Sequence, residues 1–343
     1  MPATPPRVTV LGSMNMDISV TVPELPGPGA TVLGSGARFA PGGKGGNQAV
    51  AAARLGAEVR MAGCVGHDEF GGQLLRALGA ESVDTSAVRE VQGVASGLAL
   101  ITVDSSGENM ITVAAGANES VGDEEVSSAL ARPPDVLVIS AEVPVPAIKA
   151  ALDRARTAGR DGQDRLGRQD RPGRQDRPGR QDRPGRPLIS LLNLAPVPPG
   201  ASDLLAAGVG WLVVNETEAS AVLGHPVVGL AEAATAATAL LAVGATHAVV
   251  TAGAAGAAYA GPGDTASVPG FSVAAVDTVG AGDTFVGALA TALGAGAAPA
   301  DAVRAACAAA AVATTRPGTQ GAMPHPADVP ALTGVPWPPE PLR

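Results

Sequence analysis

Short β-branched runs alternate along this chain with alanine-rich stretches of helical length, and no other feature narrows its possible folds so far. The runs occupy residues 8–11, 136–139, 188–191, 211–214 and 248–251, and the stretches residues 47–55, 147–158 and 231–242. A strand buried on both faces needs such an unbroken apolar run, and a helix between two of them is the usual way to join parallel strands. The reading is an α/β chain in three layers, α/β/α, with a central, mostly parallel sheet. Residues 17–39 and 92–113 break the rhythm, because Thr, Val, Ile and Leu alternate there around Gly and Pro turns. That pattern predicts antiparallel ribbon, placed as a small β-sheet lid on a single domain spanning residues 7–330.

At 343 residues the chain can bury a sizeable core, although alanine supplies much of its 46% hydrophobic share. Aromatic residues make up 2%, too few for stacking single-stranded nucleic acid, and a net charge of -9 repels a phosphate backbone. Both features point away from nucleic-acid binding. Cys64 and Cys307 are too few for a disulfide framework and lack metal-ligand spacing, which suggests a reducing, cytoplasmic compartment. Residues 1–7 hold prolines where a signal peptide has a basic region and then an apolar stretch. Residues 233–263 contain no Asp, Glu, Lys or Arg, yet Gly244, Gly253 and Gly256 divide them into a helix-like and a strand-like part. No membrane span is expected.

Between residues 160 and 187 three consecutive copies of Gly-Arg-Gln-Asp-Arg-Pro run from Gly167 to Pro184. Pro in every copy removes a ladder donor, and no apolar position follows Leu166, so a β-helix coil is disfavoured. Nine arginines against five aspartates admit a weak anionic partner. Polar, proline-rich sequence cannot offset its own ordering entropy, however, and the expectation is a disordered, low-complexity insertion between a helix and the next strand.

The chemistry concentrates in Asp277-Thr278-Val279-Gly280-Ala281-Gly282-Asp283-Thr284. After it Phe285, Ala288, Leu289, Ala292 and Leu293 recur at helical spacing, so a helix begins near Gly282. Glycines just ahead of a helix let backbone N–H groups point outward, and the helix start adds positive potential. Gly280, Ala281 and Gly282 would then form an anion hole for a phosphoryl group in flight. Asp283 beside that hole could take the proton of an attacking hydroxyl. It could equally be a plain helix cap.

Pro41-Gly42-Gly43-Lys44-Gly45-Gly46-Asn47 also runs into a helix, expected from Gln48. It is not a Walker A loop, because Gly follows Lys44 where Ser or Thr is needed. Its glycines would let the backbone approach a polyhydroxylated ligand, with Lys44 and Asn47 as donors; a flexible loop is the alternative. Gly12-Ser13-Met14-Asn15-Met16-Asp17 follows the first strand, at the edge where open α/β sheets bind ligands. Asn15 and Asp17 could face a sugar there or form an ordinary Asx turn. The carboxylates of Asn215-Glu216-Thr217-Glu218 could organise Mg²⁺ through water or mark a helix N-terminus. Thr251-Ala252-Gly253-Ala254-Ala255-Gly256 could line a nucleotide or be only a turn.

Taken in order, these segments resemble the ribokinase branch of the PfkB family of carbohydrate kinases, from residue 8 to about 324. Gly42-Gly43-Lys44-Gly45-Gly46-Asn47-Gln48-Ala49 resembles the first family signature, and Asp277 to Thr284 the second. Asn215 to Glu218 is similar to the family's Asn-x-x-Glu motif, and Gly107-Glu108-Asn109 to Gly116-Ala117-Asn118 resembles the lid. The resemblance implies a ribokinase-like fold and ATP-dependent phosphorylation of D-ribose to D-ribose 5-phosphate, with Asp283 as general base. It implies that Asn15, Asp17, Gly43, Lys44, Asn47 and Glu142 hold the sugar. Asn215, Thr251, Gly253, Gly256, Gly282 and Cys307 would line ATP, and Glu218 would act on Mg²⁺ indirectly. It further implies a potassium-type cation loop at Asp277, Val279, Ala313, Arg316, Gly318 and Ala322, and a homodimer formed through the lid strands.

Three residues depart from the family pattern: Leu194 stands where a proline is usual, Cys307 replaces a His or Asn, and Ala322 lacks a hydroxyl. Cys307 reads as a small buried hydrophobe and not as a reactive thiol. Two rivals stay open. One is a kinase of the same fold acting on 2-deoxyribose, fructose or another ketohexose, or a nucleoside; the other is a catalytically silent sugar-binding regulator. Asn15, Asp17 and Lys44 favour a small free sugar, the shortage of aromatics disfavours a nucleoside, and Asp283 with its glycines argues against the regulator.

Overall fold

The structure, a computed structural model, describes residues 4–166 and 187–342. The hexapeptide repeats, with the disorder expected of them, lie outside the described residues. β1 (Arg7–Leu11) passes into β2 (Asn15–Thr21), followed by β3 (Arg38–Gly42), α1 (Lys44–Arg54), β4 (Glu58–Gly66), α2 (Glu69–Ala80) and β5 (Asp84–Val91). β6 (Gly97–Val103) and β7 (Asn109–Ala114) form a hairpin. Then come α3 (Asp123–Ala131), β8 (Val136–Ser140), α4 (Val145–Leu166), β9 (Ile189–Asn193), α5 (Ala201–Ala206) and β10 (Val209–Asn215). The chain continues through α6 (Glu216–Leu223), α7 (Gly229–Ala242), β11 (Ala245–Thr251), β12 (Gly256–Gly261) and β13 (Asp264–Pro269). It ends with α8 (Ala281–Ala295), α9 (Pro299–Thr314) and α10 (Asp328–Thr333).

Among the described residues nine strands form the central sheet in the order β13-β12-β11-β10-β9-β8-β1-β4-β5. From β11 to β5 every pairing is parallel, and β12 runs antiparallel to both its neighbours. Alternate residues feed two cores. Val8, Val10, Val136, Val138, Leu191 and Val213 pack with buried residues of α1, α8 and α9. Leu11, Leu137, Ile139, Leu192, Leu212 and Val214 pack with those of α3, α4 and α7. Burial on both faces is why these strands read as unbroken apolar runs. The sequence order reverses at β1, with β4 on one side and β8 on the other, and open sheets take ligands outside the carboxyl ends at such a point.

Small residues set the helix spacing. A Cβ on Gly287 of α8 would lie 2.6 Å from the Ala51 Cβ and 2.7 Å from the Gln48 carbonyl oxygen of α1. The two helices can approach this closely only because neither carries bulk there, and the approach carries Asp283 to the start of α1.

The second sheet has the order β3-β2-β6-β7. Its outer pairings are antiparallel as expected, but β2 and β6 are parallel. The central sheet dictates this: β1 and β5 run the same way, and both leave its carboxyl edge to become β2 and β6. α4 continues to Leu166, into the segment expected from residue 160 to be insertion, and no proline occurs between Pro146 and Pro172. Among the described residues no helix is long and apolar enough to cross a membrane.

Candidate active site

The helix expected from Gln48 begins at Lys44, so Lys44 and Asn47 belong to the first turn of α1 and not to a loop. Gly43, at φ 83°, turns the chain out of β3, and a Cβ there would meet the Asn15 nitrogen at 2.7 Å. One on Gly45 would lie 2.7 Å from the Ser13 nitrogen. These glycines serve close contact between α1 and residues 12–15. The Gly46 N–H donates to the Ser13 carbonyl at 2.9 Å, and the Lys44 N–H to Glu142 Oε2 at 3.3 Å. Ser13 Oγ donates to the same Glu142 oxygen at 2.6 Å. Glu142, just beyond β8, thereby sits against the positive end of α1.

Asn15 and Asp17 are both strand residues of β2, two apart and on one face, and no Asx turn forms. Asn15 is buried, and its Oδ1 accepts from Asn118 Nδ2 at 2.8 Å. The Asp17 carboxylate lies over Gly42, where a Cβ would stand 2.2 Å from Asp17 Oδ2. Burial pushes the Asp17 carboxyl up to about 7, helped by the negative charges of Glu142 and Asp283.

Asp283 does not cap its own helix. The cap of α8 is Gly280 at φ 77°, with no side-chain cap hydrogen bond. The Asp283 carboxylate turns to α1 instead, accepting from Asn47 Nδ2 at 2.9 Å and from Gln48 Nε2 at 3.2 Å. Only 8% of the residue is exposed. Burial raises its pKa above the ordinary carboxylate value, against the pull of Lys44, Asn47 and Gln48. Burial pulls the Lys44 ammonium down, but Asp283, Glu142 and Glu218 outweigh it and the net shift is upward. Nothing lies within 4 Å of where a Cβ of Gly282 would stand, so the start of α8 is open on that side. The Ala281 N–H folds back onto the Thr278 carbonyl at 3.2 Å.

Asn215 and Glu218 form a capping box at the start of α6. Asn215 Oδ1 accepts from the Glu218 N–H at 2.9 Å, and Glu218 Oε2 from the Asn215 N–H at 2.8 Å. Burial nonetheless holds the Glu218 carboxyl above its usual value. Thr251 ends β11, and Gly253, at φ 52°, opens the turn that follows it. Gly256, at φ 114°, would place a Cβ 2.0 Å from the Val268 carbonyl oxygen, so entry into β12 requires glycine. Cys307 is buried in α9, and desolvation pushes its thiol up to about 12.

Asp277 joins the segment ahead of α8 to the segment behind α9: its carboxylate accepts from the N–H groups of Val279 at 3.0 Å and Gly318 at 2.9 Å. The carbonyl of Thr314 accepts from Val276 and Asp277. The Arg316 guanidinium pairs with Asp328, and Ala322 is buried. Among the described residues no group of His, Cys, Asp and Glu is arranged to hold a metal ion.

An open pocket of about 570 Å³ lies against the carboxyl edge, with Ser13, Asn15, Val113, Ala115, Asn118, Glu119 and Glu142 on its wall. Asp17, Lys44, Asn47 and Asp283 are not part of that wall. Five further residues build the site without having been assigned a role from sequence: Ser13, Gln48, Asn118, Asn193 and Gln320. Ser13 and Gln48 each adjoin or lie inside a motif, and adjacency to Asn47 is the signal that could have marked Gln48.

The pattern described as pfkB family carbohydrate kinase matches residues 5–173 and 188–326, and residues 174–187 of the repeat region fall in its gap. The chain is 34% identical to a ribokinase of Haemophilus influenzae, over 92% of this chain and 95% of that one. It is 30% identical to a deoxyribokinase of Salmonella typhi, over 82% and 84%. A solved ribokinase of Arabidopsis thaliana, complexed with ribose and ATP, superposes with a TM-score of 0.79 at 26% identity, covering 96% of this chain and 99% of that one.

Proposed function

Since this chain belongs to the pfkB family of carbohydrate kinases, we propose that it transfers the γ-phosphoryl group of ATP to the terminal hydroxyl of D-ribose. As a carbohydrate kinase it is not the silent regulator weighed above. The observation that carries the mechanism is the Asp283 carboxylate, held by α1 beside the open start of α8 and not spent on its own helix.

In this reading Asn15, Asp17, Gly43, Lys44, Asn47 and Glu142 hold the sugar. Asp283 accepts the proton of the attacking hydroxyl, and the ammonium of Lys44 supports its ionised form. The N–H groups of Gly280, Ala281 and Gly282 receive the negative charge of the phosphoryl group as it moves, with the Ala281 N–H released from Thr278. Asn215, Thr251, Gly253, Gly256, Gly282 and Cys307 line the nucleotide. Mg²⁺ entering with ATP supplies charge neutralisation on the phosphates. Both Glu218 oxygens already serve Asn215, so Glu218 acts on it through water. Asp277, Val279, Ala313, Arg316, Gly318 and Ala322, several of them through backbone carbonyls, would hold a monovalent cation of the potassium type; the bond from the Gly318 N–H to Asp277 supports this by joining the two segments that carry them.

The second sheet supports a homodimer, because its edge strand β7 is exposed at all six residues and carries Met110, Ile111 and Val113. The two free, buried thiols suit a reducing, cytoplasmic setting. Similarity to a deoxyribokinase supports 2-deoxyribose as the second reading of the acceptor. The test is ADP release from purified protein with ATP and Mg²⁺ over pentoses, hexoses and nucleosides, each with and without K⁺. Ribose is expected to show the highest kcat/KM. A preference for deoxyribose would move the acceptor, and no turnover with any of them would overturn the reading.

A further inference from the structure

The carboxylate of Asp283 is held by two consecutive side chains of α1, and the second of them plays no part in the mechanism so far. Gln48 is wholly buried, at 0% exposure. Its Nε2 donates to Asn193 Oδ1 at 2.9 Å and to Asp283 Oδ1 at 3.2 Å. The orientation of this amide is forced. Asn193 donates through Nδ2 to the Val213 carbonyl at 3.2 Å, which leaves its Oδ1 facing Gln48, and an ionised carboxylate only accepts. Gln48 must therefore turn its NH₂ to both, and its Oε1 lies buried without a hydrogen-bond partner. An unpaired buried carbonyl destabilises a fold, and an apolar side chain of the same shape would avoid it. What the amide contributes is its donors.

The other oxygen of Asp283 is treated in the same way. Asn47 donates to it through Nδ2 at 2.9 Å, and Asn47 Oδ1 accepts from Gln320 Nε2 at 3.1 Å. Each carboxylate oxygen receives one amide, and each amide is fixed by another from a distant part of the chain, Asn193 at the end of β9 and Gln320 behind α9. Resting on the kinase reading above, we propose that Gln48 is a positioning residue for proton transfer: gripped between Asn193 and Asp283, it sets the plane of the carboxylate and keeps it in its proton-accepting form.

Asp283 faces Lys44 from α1, Asp17 from β2, Glu142 beyond β8 and Glu218 from α6. Burial and the three carboxylates oppose its ionisation, while Lys44 and the two amides favour it. Loss of one amide tips that balance toward the protonated acid, so the acid limb of kcat moves to higher pH. Asp17 also titrates, but it acts on sugar binding, and kcat at saturating sugar separates the two.

Gln48→Met keeps the shape and removes the donors. The expected result is an acid limb raised by about one pH unit, which is about a tenfold loss of kcat on the acid side of the limb that fades on its alkaline side. KM for the sugar should stay within about threefold. Gln48→Glu is the second variant should methionine prevent folding, and it too should raise the limb, because a carboxylate beside Asp283 repels it. An unchanged limb in a folded variant, or a loss equal at every pH, would overturn the proposal and leave Gln48 a packing residue. Absence of phosphoryl transfer by the unmodified protein is a different result, which brings down the kinase reading and this inference with it.

Discussion

Asp17 carries a carboxyl that burial, with Glu142 and Asp283 nearby, raises from 3.8 to about 7. Between those values the native chain keeps a proton that the unfolded chain has released, so this group makes stability decline as pH rises through that window. Asp17→Asn removes the decline. The gap in Tm between variant and wild type should therefore widen in the variant's favour from about pH 4 to about pH 8, read by calorimetry; parallel curves would contradict the assignment. Gly42 is the neighbour that makes room for this carboxylate, with a Cβ only 2.2 Å from Asp17 Oδ2. In Gly42→Ala the atom that must yield is the end of a side chain and not backbone. Tm should then change little while KM for the sugar rises about tenfold, the equivalent of about 1.4 kcal/mol. A large drop in Tm with unchanged KM would show the contact to be structural.

At the scale of elements the site depends on α1 and α8 lying against each other. Gly287→Ala would set a Cβ against the Gln48 carbonyl and the Ala51 Cβ, neither of which can swing away. A loss of about 1–3 kcal/mol in unfolding free energy is expected, together with lower kcat as Asn47 and Gln48 shift from Asp283; denaturant titration and turnover check both. This contact also explains what could be read from sequence. The start of α8 was legible because Phe285, Ala288, Leu289 and Ala292 bury one face at helical spacing. The start of α1 was not, because Gly45 and Gly46 look like a loop, while Gly45 is there for close contact with Gly12 and Ser13. The parallel β2–β6 pairing was hidden for another reason: strand direction is set by where β1 and β5 leave the central sheet, and local alternation carries no trace of it. Asp283 as cap or base stayed open in sequence because both roles need the same residue at the same place. For Gln48 the sequence held only its adjacency to Asn47, since its partners Asn193 and Asp283 stand 145 and 235 positions away.

For the whole molecule, the three layers and their parallel sheet were legible because they follow from burial on both sheet faces. The second sheet predicts an assembly. Met110→Lys with Ile111→Lys places two charges on the exposed β7 edge, and sedimentation should show monomer where wild type shows dimer; a monomeric wild type would remove the interface. Residues 174–187 of the repeat region lie in the gap of the family match, and the region holds none of the proposed site residues. Deleting residues 167–186 should leave kcat within about threefold of wild type. The central claim, that Asp283 takes the proton of the attacking hydroxyl, is tested most directly by turnover of Asp283→Ala with ATP and ribose, alongside ribose binding by calorimetry. A fall in kcat of about 10²–10⁴ with Kd within a few-fold is predicted; turnover within about tenfold of wild type would contradict it.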